Sequence, residues 1–286
     1  MKLKTFALLL VLSTASFSYG AQKNVLFLGN SYTFYNNLPK LVQDIALSAG
    51  DSIHVESLTP GGRRISQHAT DPMVFDLLRQ GSWDYVIIQC QSQEPSFPDG
   101  QVATEVLPYA EALCDSIRAH NPCAVPMFYM TWGRKNGDAS NCTNWPPVCT
   151  YEGMDSILHA NYLKMGKQND GEVAAVGAAW RYLRSHSPSI ELYTGDGSHP
   201  SLNGSFAAAY AFYSTIFRKS PYTPDFQGGL SQTTFDSIRK AVDEAVFKKL
   251  NDYNVGVNDP DINIQYTVSQ KCTFTFTSSL EPTWSV

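Results

Sequence analysis

Nothing in these 286 residues gathers positive charge. The 21 Lys and Arg stand against 26 Asp and Glu, the net charge is −5, and no cluster of five or more basic residues occurs. A nucleic-acid-binding face needs such a cluster to displace counterions from phosphates, so that class is excluded. Metal-ligand spacings are also missing. There is no Cys-x-x-Cys pair and no His/Cys pattern of a structural zinc site. Past the N-terminus no stretch of about 20 residues is apolar throughout, so no membrane span is expected. Repeats and low-complexity tracts are absent, which leaves no collagen or coiled coil. What remains is 43% apolar, ample for the core of one generous domain or two small ones at about 100 to 200 residues each.

The first 20 residues read as a signal peptide. Lys2 and Lys4 precede an apolar run over 6–12, and Ser18-Tyr19-Gly20 supplies small residues at the cleavage positions. Cleavage would remove both lysines and leave a more acidic chain. The first cysteine is Cys90, so a lipoprotein anchor is not expected, and the location implied is secreted or periplasmic. Six cysteines in an exported chain make disulfides plausible. Cys142 and Cys149 flank a Pro-rich loop that a crosslink would hold in shape, whereas Cys90 closes an apolar run and reads as a buried thiol.

Hydrophobic periodicity gives the architecture. Residues 24–29 form a short continuous apolar run ending in Gly29, the pattern of a strand buried on both faces. Further strands are expected at 52–58, 83–90, 125–131 and 173–176. Helices are expected at 39–49, 73–80, 102–120, 153–168, 203–217 and 233–250. Strand and helix in alternation predict an α/β three-layer sandwich, a flavodoxin-like parallel sheet with helices on both faces. Beyond Asp259 the period becomes two, through Ile262, Ile264, Tyr266, Val268, Cys272, Phe274 and Phe276. The chain thus divides into a signal peptide at 1–20, one domain over 21–255, and a linker with a short β appendage over 256–286.

In such sheets chemistry is found just past the carboxyl ends of the strands. After the first strand comes Gly29-Asn30-Ser31-Tyr32-Thr33, a serine on a tight turn whose own N–H can face an oxyanion. Far downstream is Gly195-Asp196-Gly197-Ser198-His199-Pro200, where a carboxylate three residues before an imidazole can hold it toward a nucleophile. Each segment alone also suits an ordinary turn or helix cap. Together they favour catalysis.

With these blocks the sequence resembles the SGNH hydrolases, the GDSL-type lipases and esterases, over residues 24–217. The resemblance implies Ser31 as nucleophile, His199 as general base and Asp196 as the residue orienting it, with no metal or organic cofactor. It also implies an oxyanion hole from the N–H groups of Ser31 and of Gly62 or Gly61, which follow the second strand. Two departures stand out. Asn30 replaces the family's Asp, and the third block reads Gln89-Cys90-Gln91-Ser92-Gln93-Glu94 where the family has Gly-x-Asn-Asp. Gln93 falls at the Asn position, with Gln91 or Gln89 as alternatives. Arg63 and Arg64 follow the glycine pair and suit an anionic substrate group. Trp132 and Arg134, just past the fourth strand, suit a sugar, and His68 is the one other histidine near the expected site.

The function expected is an exported serine esterase removing short acyl groups, such as acetyl, from a small-molecule or glycan ester. Competing readings are a non-catalytic carbohydrate-binding protein on the same scaffold and a lipase acting on longer acyl esters. An imidazole base predicts activity that falls below about pH 6 to 7.

Overall fold

A computed structural model describes residues 22–256. The signal segment at 1–20, the β appendage with Cys272, and all but the first residue of the linker lie outside the described residues. In chain order the strands are β1 Lys23–Leu28, β2 Ile53–Leu58, β3 Tyr85–Ile88, β4 Val125–Tyr129 and β5 Glu172–Ala174. The helices are α1 Ser31–Phe34, α2 Leu38–Ser48, α3 Ile65–His68, α4 Pro72–Gln80, α5 Asp99–Glu105 and α6 Leu107–His120. They continue with α7 Tyr151–Gln168, α8 Val176–His186, α9 Leu202–Phe217 and α10 Gln232–Ala245.

The five strands form one parallel sheet in the order β2-β1-β3-β4-β5, the flavodoxin-like order that the alternating pattern predicts. Burial follows position. Every residue of β3 is buried, while the edge strand β2 leaves His54 and Glu56 outside the core, polar side chains that discourage pairing with another chain. One helical layer is the contact series α2, α9, α8 and α10, and the other contains α4, α6 and α7. Helix α9 is buried from Gly204 through Ile216, as a helix apolar all round must be. Its Phe212 ring meets Phe27 of β1 at 5.4 Å and Tyr129 of β4 at 4.8 Å.

Two expectations are corrected. The helix expected at 102–120 is broken at Val106 into α5 and α6. Pro108 has no N–H to give and its ring crowds the carbonyl four residues back, so a continuous helix cannot pass. Helix α8 was not expected at all. Its buried face, Val176, Ala179, Trp180 and Leu183, has helical spacing, but it follows β5 after one residue and the two merge into one apolar run.

Because β1 and β3 are neighbours whose connections leave toward opposite sides of the sheet, a crevice opens at their carboxyl ends. The segments following β1, β2 and β3 converge there.

Candidate active site

Ser31 begins α1 directly after β1. Asn30 caps the helix, its Oδ1 accepting from Tyr32 N at 3.1 Å. The same side chain is locked from below by Gln89, whose Nε2 donates to Asn30 Oδ1 at 2.7 Å and whose Oε1 accepts from Asn30 N at 3.1 Å and Thr33 Oγ1 at 2.6 Å. Asn30 Nδ2 donates onward to Arg63 O at 3.0 Å. A carboxylate could not make that last bond, which is the physical reason an amide suits this position. Gly29 is required by close approach, since an added Cβ would collide with Thr33 Oγ1 and Gln89 Oε1.

His68 lies behind the same turn, wholly buried, with Nε2 donating to Gly29 O at 2.9 Å. Burial first, and then the positive charge of Arg63, lower its pKa to about 4 against the opposing bond to Gly29, so the ring is neutral.

Across the crevice the loop before α9 brings His199 Nε2 to 2.8 Å from Ser31 Oγ, and His199 Nδ1 to 2.5 Å from Asp196 Oδ2. Asp196 Oδ1 accepts from Ser198 N at 2.8 Å, His199 N at 2.9 Å and Thr194 Oγ1 at 2.9 Å. Partial burial would raise the Asp196 pKa, but these bonds, that from His199 foremost, outweigh it and hold the carboxyl well below the usual range. Serine, imidazole and carboxylate thus form one continuous hydrogen-bonded chain, an arrangement in which the imidazole can take the hydroxyl proton.

Gly62 has φ +67, a left-handed turn that glycine adopts without strain. Among the described residues the N–H groups of Ser31, Gly61 and Gly62 donate to no protein acceptor, so they are available to a ligand. Of the three glutamines, Gln89 is spent on Asn30 and on Cys90 O at 3.0 Å. The Gln91 amide nitrogen is taken up by Ser92 Oγ and Gln93 Oε1, each at 3.3 Å. Gln93 Nε2 donates one hydrogen to the buried carboxylate of Asp138 at 2.7 Å, which orients the amide and leaves its second N–H.

Of the expected substrate-binding residues, Trp132 is corrected. Trp132 is wholly buried, stacked between Tyr32 at 4.7 Å and Trp180 at 3.7 Å, with Nε1 donating to Ser198 O at 3.1 Å. It braces the loop that carries His199 and cannot meet a sugar. Arg63 is ion-paired with Asp71, and Arg134 Nη1 lies 3.2 Å from Asp138 Oδ1. Arg64, suggested for an anion, pairs with buried Glu94 at 2.6 Å and with Glu105 at 2.8 Å. Glu94 also accepts from Ile65 N at 3.2 Å and Gln91 N at 2.9 Å, so it clasps the segments after β2 and β3 together.

Sequence reasoning missed Tyr32, Tyr35, Glu94 and Asp138. Tyr32 OH lies 2.6 Å from Ser198 Oγ, and the Tyr35 ring stacks on His199 at 4.4 Å. Burial raises the Tyr32 pKa more than its bonds to Ser198 and Ser92 lower it, so the hydroxyl keeps its proton. Adjacency to Ser31 was the one signal available. Cys142 and Cys149 are joined as expected, and Cys90 is a buried free thiol.

No family model matches the chain, and no curated protein does either. Solved structures do. A DUF4886 family protein from Bacteroides uniformis is 15% identical with a TM-score of 0.68, covering 79% of this chain and 95% of that one. A proposed SGNH hydrolase from Slackia heliotrinireducens is 25% identical with a TM-score of 0.56, over 68% of this chain and 100% of that one. A proposed GDSL-like lipase from Parabacteroides merdae is 14% identical with a TM-score of 0.50, over 71% and 99%. The chain has the fold of the SGNH hydrolases.

Proposed function

We propose that the protein is an exported serine esterase that removes short acyl groups, such as acetyl, from a carbohydrate alcohol. The observation that carries this reading is the hydrogen-bonded chain from Ser31 through His199 to Asp196. Ser31 Oγ attacks the acyl carbonyl carbon while His199 Nε2 takes its proton, and Asp196 holds Nδ1–H and stabilises the imidazolium. The oxyanion meets the N–H groups of Ser31 and Gly62 and the second amide N–H of Gln93, each worth on the order of 3 kcal/mol. Collapse of the intermediate breaks the bond to the alcohol, to which His199 returns the proton. Water then repeats the sequence on the acyl-serine and frees the acid. Export is supported by the Cys142–Cys149 disulfide, a bond that lasts in an oxidising compartment.

The test is incubation with a fluorophosphonate. Covalent labelling of wild type that is absent in Ser31→Ala and falls steeply in His199→Ala supports the mechanism. Folded wild-type protein that takes no label overturns it and leaves a binding protein. Equal activity on long-chain and acetyl esters would sink the short-acyl assignment alone.

A further inference from the structure

We propose that the exposed ring of Phe34 is the platform on which one uncharged sugar ring of the substrate rests, an inference that depends on the esterase reading above. Phe34 stands three residues after Ser31 in α1, so both side chains leave the same side of that turn. Its ring centre is 5.4 Å from that of Tyr35, which in turn covers His199. On its other flank, Phe34 Cε1 lies 3.9 Å from where a Gly61 Cβ would stand. The ring therefore spans from the imidazole's neighbour to the glycine turn and walls one side of the crevice.

Core packing does not explain Phe34, which is 46% exposed while Tyr32 and Thr33 beside it are buried. Charge narrows what covers it. The guanidinium groups of Arg63, Arg64 and Arg134 are each held by a carboxylate, which disfavours an anionic ligand. Width narrows it further. In the segment 31–37 Phe34 is the large apolar side chain that is exposed, since Tyr35 is half-buried with its ring laid on His199 and Asn36 is polar and bonded to Pro200 O and Ser205 Oγ. A long acyl chain needs a continuous apolar strip. A pyranose offers one C–H face to an aromatic ring and keeps its hydroxyls at the rim, which matches a single ring in polar surroundings.

The experiment compares kcat/KM on glucose pentaacetate with that on vinyl acetate, which has no ring. In Phe34→Ala and Phe34→Leu the ratio of the two should fall about tenfold, mostly through KM for the sugar ester, and Phe34→Trp should restore it. A ratio equal to that of wild type overturns the proposal. Calorimetric binding of glucose pentaacetate to Ser31→Ala, with and without Phe34→Ala, gives a readout that needs no turnover. Binding should weaken about tenfold on removal of the ring, and equal binding, or none with Phe34 intact, also overturns the proposal. If no ester is cleaved and no fluorophosphonate label appears, the esterase reading fails while the binding comparison still decides the role of Phe34.

Discussion

The Ser31 turn and the loop carrying His199 meet across 2.8 Å, yet the first is built into the core and the second is laid upon it. Around Ser31, Asn30, Thr33, His68 and Gln89 are all at most 2% exposed, and the side-chain hydrogen bonds that hold the turn from below run among them. The His199 and Asp196 side chains are 27% and 46% exposed. Their loop is fixed by its own carboxylate and by outside contacts that include those from Tyr32, Tyr35, Asn36 and Trp132 and the bond from Lys135 N to Gly197 O at 2.8 Å. The difference teaches where damage should appear. Substitutions under Ser31 should cost folding free energy, because buried polar groups lose partners and cannot reach water. Substitutions under the loop should cost rate, because the loop can shift without opening the core.

The largest effect that would break this contrast concerns Asn30. Asn30→Asp keeps the two bonds accepted at Oδ1 but sets its other carboxylate oxygen against two carbonyls, so stability should fall by about 4 kcal/mol, as when a buried charge is left facing groups that cannot donate to it. Guanidinium unfolding measures it, and a loss under 1 kcal/mol would contradict the picture of a locked turn.

Next in size is a pH effect from His68. Its folded pKa of about 4 lies below the unfolded value of 6.5, so between those values the unfolded chain binds the proton and the folded chain does not. Stability is therefore full above pH 6.5 and declines as pH falls toward 4, by about 3 kcal/mol. The wild-type stability minus that of His68→Gln, followed by urea unfolding across this window, should shrink on acidification, and a constant difference refutes the assignment.

The smallest effect on stability is expected at the loop. Tyr32→Phe removes the hydroxyl bond to Ser198 and should cost about 1 kcal/mol in stability, while fluorophosphonate labelling of Ser31 slows by roughly tenfold. Ser198→Ala should show the same slowing, and the pair should be non-additive in a double-mutant cycle. Full additivity would mean that the two hydroxyls do not act together.

Much of this is legible in the sequence. The five strands, their parallel order and the candidate trio Ser31, Asp196 and His199 came from local signals: apolar runs ending in glycine, and a carboxylate three residues from an imidazole. The partners of side chains were not legible. Gln89, an alternative to Gln93 as oxyanion donor in the sequence, instead supports Asn30, because which way a strand-end amide turns depends on a segment 59 residues earlier. Arg64 meets Glu94 and Glu105 across 30 and 41 residues. Trp132 looked like a sugar platform because it follows a strand at the correct edge, but Trp180, on the unforeseen helix α8, closes over it.

The sequence by itself determined which backbone segments become strands and which reactive groups stand near their ends, since periodicity, glycine sterics and short-range spacing act within a few residues. Only the tertiary structure decided which of those groups are spent on one another and which stay open. Burial and hydrogen-bond partners belong to neighbours brought together by the sheet, and that is why Trp132 went inside and Phe34 stayed out.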